Sequence, residues 1–156
     1  MADNIFDIEV EGLEPVLRKF ENAPKTLARG MNDAMKRSMD VIQSEMPGYP
    51  PKRENQKVPY TRTGTLARSL GKNMAGGNVG KPSIYSVAGS GQNMMGQVGT
   101  NLIYAKYVVG DPDAAQGEGQ AYMHKNWWWT LDFVARKAKE KVQAVWDGLI
   151  KELLDV

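Results

Sequence analysis

An apolar stripe near the end of the sequence restricts the fold more than any other feature. Over residues 126–154, Leu131, Val134 with Ala135, Ala138, Val142, Val145 with Trp146, Leu149 with Ile150 and Leu153 recur every three or four positions, with Lys137, Lys139, Glu140 and Lys141 largely off the stripe. That period is an amphipathic helix of about eight turns, spanning about 42 Å at about 1.5 Å per residue. A chain of 156 residues fits one domain, and its radius of gyration would be about 15 Å, so the helix matches or exceeds the domain's diameter. Part of it is expected to lie against a neighbouring chain.

A second helix is read over 24–45, where Leu27, Met31, Ala34 with Met35, Ser38, Val41 with Ile42 and Met46 keep the same spacing until "MPGYPP" breaks it. Methionines on such a stripe are flexible core fillers. Ahead of it, "IFDIEVEG" alternates Phe6, Ile8 and Val10 with Asp7, Glu9 and Glu11, a half-buried strand. Pro15 suits the first turn of a short helix over 14–20. Further on, "SIYSVAG" and "MMGQVGT" read as short strands, and "NLIYAKYVV" is equally strand or helix. The expectation is an α+β fold in one domain over 1–156: a small antiparallel sheet packed by a long helix in the N-terminal half and a long C-terminal amphipathic helix. Half of the 16 glycines fall within 71–99, which is expected to be a mobile, glycine-rich insertion.

Charge is unevenly placed. Residues 1–48 hold six basic and nine acidic groups, whereas 49–72 hold Lys52, Arg53, Lys57, Arg62, Arg68 and Lys72 against Glu54 alone. The second stretch includes the polar "YTRTGTLARSL", in which Thr63 or Thr65 would cap a short helical turn held down by Leu66 and Leu70. The six cations are either a solvated loop or a surface for phosphate.

Little in the chain suggests catalysis. There is no cysteine, hence no disulfide, thiolate nucleophile or zinc-thiolate site. His124 is the sole histidine, and "AGGNVGKPS" misses the phosphate-loop pattern at Ala75 and Pro82. Asp111 and Asp113 belong to the turn-rich "GDPDAAQGEG", where carboxylates are ordinarily just hydrated. No catalytic, cofactor-binding or metal residue is nominated, and no enzymatic activity is expected. No run is long and apolar enough for a bilayer, and the acidic start is unlike a secretory signal, so synthesis and use in the cytosol are expected. The adjacent Trp127, Trp128 and Trp129 would cover most of the circumference of a helix, more than one core can bury. They read as a wide anchor at the helix entry or a subunit interface, with base stacking a third option.

Taken in order, these residues resemble a family of head-tail joining proteins of tailed bacteriophages, the neck or tail-completion proteins of siphophages. In "VPYTRTGTLARSL", Thr63, Gly64, Leu66 and Ser69 are similar to that family's Thr-Gly-x-Leu-x-x-Ser motif. In "VGTNLIYAKYVVGDP", a Val-Gly-Thr strand precedes Tyr104, Ala105, Tyr107 and Val108, matching Tyr-Ala-x-Tyr-Val. The chain departs from the family at "VGDP", where Glu-Phe-Gly-Thr is usual, and at "AYMHKNWW", which replaces Pro-Phe-Met/Leu-Arg-Pro. The resemblance implies a structural virion protein, made in the host bacterial cytoplasm and assembled as a hexameric or dodecameric ring at the head-tail junction. Its place there would be that of a neck, tail-completion or tail-terminator protein, touching connector or head-closure proteins on one side and tail tube or terminator proteins on the other. DNA would pass through, in transient non-specific contact, with no membrane and no cofactor involved. Tyr104, Tyr107, Trp127, Trp128, Trp129 and Trp146 are then interface candidates, and Lys52, Arg53, Lys57, Arg62, Arg68 and Lys72 channel or DNA-facing candidates. The alternative is a basic DNA-binding module using 52–72, whose grip would weaken steeply with salt.

Overall fold

The computed structural model describes residues 4–8, 25–52, 61–90, 93–110 and 119–154. Its elements are β1 (Asn4–Ile8), α1 (Lys25–Glu45), α2 (Thr65–Ser69), β2 (Ile84–Ala88), β3 (Met95–Thr100), α3 (Ala105–Val109) and α4 (Leu131–Leu154). The helix expected over 14–20 and the "GDPDAAQGEG" turn beyond Gly110 lie outside the described residues. The fold is α+β, a small antiparallel sheet packed by two long helices.

The sheet has the order β1-β3-β2, with β3 antiparallel to both neighbours. Two of its three strands thus come from the stretch read as an insertion, so β2 and β3 belong to the framework. α1 crosses the central strand closely. A Cβ at Gly96 would stand 2.5 Å from Met35 Sδ and 3.1 Å from Met39 Sδ, so only glycine lets the two methionines lie directly on β3. Met31, Met35, Met39 and Met46 are all buried, unbranched side chains that fill the core. Ser38, also buried, returns its hydroxyl to Ala34 O at 2.9 Å, so no polar group is stranded.

α4 packs along α1 through Leu131, Val134, Ala138 and Trp146, all buried, and then Val142, Val145, Leu149 and Leu153, half-buried. It is shorter than its stripe. Thr130 accepts the Phe133 N–H at 3.1 Å and caps the helix there, with Asp132 in the first turn. Residues 122–128 are a stack of turns in which Asn126 takes φ 60. The three tryptophans therefore precede the helix and are not spread around its circumference. α4 spans about 36 Å. "NLIYAKYVV" resolves into a turn and α3.

The end of α1 organises the loop that follows α2. Gln43, buried, donates Nε2 to Leu70 O at 3.3 Å, Gly71 O at 3.2 Å and Gly80 O at 2.7 Å. Gly71 adopts φ +67, and a Cβ there would stand 2.4 Å from both Gln43 Nε2 and Gly80 O. Replacing Gly71 by alanine adds backbone strain to that clash and is expected to cost about 2 kcal/mol or more. Gln43→Ala, which removes the side-chain donor from the carbonyl of buried Leu70 and the tie to Gly80 O, should cost about 1–3 kcal/mol. Urea denaturation of both variants checks this; losses below a few tenths would mean that the loop is not fastened here.

Candidate functional site

The polar "YTRTGTLARSL" turns out to be a joint. α2 begins after Gly64, which takes φ 72 and offers no side-chain cap; Thr63 Oγ1 accepts the Thr65 N–H at 3.4 Å. Leu66, Ala67 and Leu70 are buried, as their spacing anticipates. Ser69 is the pivot: its hydroxyl donates to Leu66 O at 2.8 Å and accepts from Thr100 Oγ1 at 2.8 Å, while its carbonyl accepts Ser83 N at 2.7 Å. Thr100 Oγ1 in turn accepts the Leu102 N–H at 3.2 Å, setting the turn into α3. The Thr-Gly-x-Leu-x-x-Ser stretch and the Val-Gly-Thr strand therefore meet through one hydroxyl pair.

The six proposed channel cations do not share a face. Lys72 is buried at 2% exposure and donates Nζ to Gln43 O at 2.9 Å and Ser44 O at 3.4 Å, so it caps α1 and faces no channel. Burial lowers its pKa from the usual 10.5, partly offset by nearby Glu45. Arg62, half-buried, donates to the carbonyls of Pro50 and, at 3.2 Å, Pro51, and lies 5.6 Å from the Trp128 ring centroid. Lys52 and Arg68 are exposed, whereas Arg53 and Lys57 lie outside the described residues.

The aromatic candidates also divide. Trp128 and Trp146, at 6% and 3% exposure, are core residues and no interface. Trp128 is edge-on to Tyr49 at 4.7 Å and to His124 at 5.5 Å, which makes the lone histidine structural. Trp129 is half-buried. Trp127 is partly exposed and donates Nε1 to Pro51 O at 3.0 Å, so it and Arg62 meet on the same carbonyl. Tyr104 and Tyr107 are exposed, joined by residues the sequence did not single out: Ile103 at 84%, Tyr122 at 94%, and Met123 and Phe133 at about 40%. Ala121 N donates to Tyr107 O at 2.8 Å and Gln120 Nε2 to Val108 O at 2.8 Å, so α3 and the 119–130 turns form one surface. A shallow groove of about 490 Å³ continues it between Gln120, Lys125, Trp127 and Phe133. Adjacent apolar residues with no helical or strand period are the only sequence signal for Tyr122 and Met123.

Among the described residues no group of three or more His, Cys, Asp or Glu is placed to hold a metal ion, and no helix is long and apolar enough to cross a membrane. Comparisons with protein-family models, curated proteins and solved structures return no match.

Glu45 joins the two long helices. Its buried carboxylate accepts from Lys141 Nζ and, at 3.2 Å, from Lys137 Nζ. The Lys141 and Lys137 hydrogen bonds hold its pKa below the usual 4.5. Since folding lowers that pKa, the stabilisation is complete above about pH 4.5 and is lost as pH falls through the lower folded value. Melting temperature should therefore drop with acid more for wild type than for Glu45→Gln, the gap at neutral pH narrowing below 4.5. Parallel curves would show that Glu45 does not act through its charge.

Proposed function

We propose that this protein is a structural component of a tailed-bacteriophage virion, assembling as a homo-oligomeric ring at the head-tail interface in a neck, tail-completion or tail-terminator role. The observation that carries the reading is the apolar surface of α3 and the 119–130 turns. Ile103 and Tyr122 are almost fully exposed, and Tyr104, Tyr107, Met123 and Trp127 lie about them. A contiguous patch of this kind on a folded chain marks a protein contact. Tyrosine and tryptophan are favoured there because they give large contact areas at low entropic cost.

The resemblance supplies the rest. Its two motifs close on each other through Ser69 and Thr100, and the second runs directly into the exposed Tyr104 and Tyr107. Partners of the ring are then connector or head-closure proteins and tail tube or terminator proteins, and DNA passes the lumen in transient, non-specific contact. The DNA-binding alternative is weakened, since Lys72 is internal and Arg62 is held on proline carbonyls.

Native mass spectrometry and negative-stain microscopy across a concentration series, alone and with purified tails, test the reading. Rings that render tails competent to join heads are expected. A chain that stays monomeric throughout and joins nothing would overturn it, and tight duplex binding that collapses with salt would favour the DNA-binding module.

A further inference from the structure

β2 lies at an edge of the sheet, with β3 as its only strand neighbour. Alternate residues of an edge strand turn their N–H and C=O groups away from the sheet. None of those outward groups in Ile84–Ala88 has a hydrogen-bond partner among the described residues. The strand also lacks the usual protection of an edge, because "IYSVA" contains no charged residue and no proline. Lys81, just ahead of it, is committed to Asp40. The unpaired stretch is bounded at its start, since the Ser83 N–H is taken by Ser69 O at 2.7 Å.

The strand is held firmly on its inner face. Tyr85 and Val87 pack against the core, and the Tyr85 hydroxyl donates to Asp40 Oδ1 at 2.7 Å. Ser86 and Ala88, on the other face, are exposed. Set antiparallel to a copy of itself and centred on Ser86, the strand matches itself: Ile84 falls opposite Ala88, Tyr85 opposite Val87, and Ser86 opposite Ser86. Tyrosine with valine is an aromatic and β-branched pair, the two serine hydroxyls can bond each other, and no charge meets a like charge. This register alone pairs all five residues.

We propose that two copies of this chain join β2 to β2 about a two-fold axis, making one continuous six-stranded sheet from two three-stranded ones. The helices leave room for it. α1 lies over β3, and three strand spacings of about 4.8 Å put the two copies of α1 about 14 Å apart, beyond the roughly 8–10 Å of packed helices. Main-chain hydrogen bonds supply the attraction and the facing side chains fix the register. The contact uses neither the aromatic surface nor the family resemblance, so it does not rest on the ring reading.

Introduced cysteines test the pairing, because the chain has none of its own. In this register the two Ser86 Cβ atoms come within about 5 Å of each other, whereas Ala88 and its copy stand about 14 Å apart. Under mild oxidation Ser86→Cys should therefore form disulfide-linked dimers about tenfold faster or more than Ala88→Cys, although both sites are exposed. Ile84→Cys mixed with Ala88→Cys should link to each other and not to themselves, an independent check should Ser86→Cys fold poorly. Ser86→Lys, which sets two ammonium groups face to face, should raise the dimer dissociation constant about tenfold or more in sedimentation, with an unchanged melting temperature below that constant. Equal linking at 86 and 88, or a Ser86→Lys chain that self-associates as wild type does, overturns the proposal. So does linking of residue 86 to a tail protein instead of a second copy, which would give the edge to a foreign strand. Rings that assemble with no linking at residue 86 remove this contact and leave the ring reading standing.

Discussion

The structure depends on how the last turn of α1 is closed. A helix end leaves four carbonyls without intrahelical partners, and α1 has no basic residue in its last turn. The sequence that follows, "MPGYPP", is poor in donors because three of its six residues are prolines. Met46 N reaches Gln43 O at 3.2 Å, and the side-chain donor is Lys72, far along the chain, whose ammonium sits on Gln43 O and Ser44 O. A buried lysine is costly to desolvate, and here that cost is offset by the negative end of the helix dipole and by Glu45 close by. One turn of helix therefore recruits the loop through Gln43 and Lys72, and α4 through Glu45.

That closure sets up the exposed surface at a distance. With the 70–80 loop fixed, Tyr49 N reaches Met74 O at 2.7 Å and the Tyr49 hydroxyl accepts the Ala67 N–H at 3.0 Å. Tyr49 in turn supports the Trp128 ring, and Trp128 anchors the turns that carry Tyr122, Met123 and Trp127. The indole N–H groups of Trp128, Trp129 and Trp146 are buried with no acceptor among the described residues. Each leaves a polar group unpaired at a cost of about 1–3 kcal/mol, which ring burial must outweigh. Two of the three tryptophans at the helix entry thus work inward, so that other side chains are held outward.

Periodicity carried most of the fold. Both long helices, the strand at residues 4–8 and the buried pair Leu66 and Leu70 follow from spacing, because burial on one face imposes a period, while the strands on either side of Gly89 follow from their β-forming residues. The helix start at Leu131 was hidden, since Trp127 to Trp129 prolong an apolar run while the deciding signal is one threonine hydroxyl. Lys72 was misplaced for a different reason. A lysine in a basic, glycine-rich stretch reads as solvated, and nothing local announces an acceptor 29 residues away. Arg62 was counted as a free cation although its partners are carbonyls, which every residue has and no composition reveals. The aromatic surface was legible only in part, since Tyr104 and Tyr107 stood within a motif and Ile103, Tyr122 and Met123 did not.

Charge placement then bears on the symmetry of any assembly this surface could make. Across a two-fold axis an interface meets its own image, so every cation of the surface, Lys106 and Lys125 among them, is brought in twice. Like charges brought together in a water-poor contact cost several kcal/mol, which an apolar patch of six side chains would struggle to offset. A contact with a different patch carries no such cost, and the acids left unpaired in the described residues stand on α4 and α1 rather than near the tyrosines.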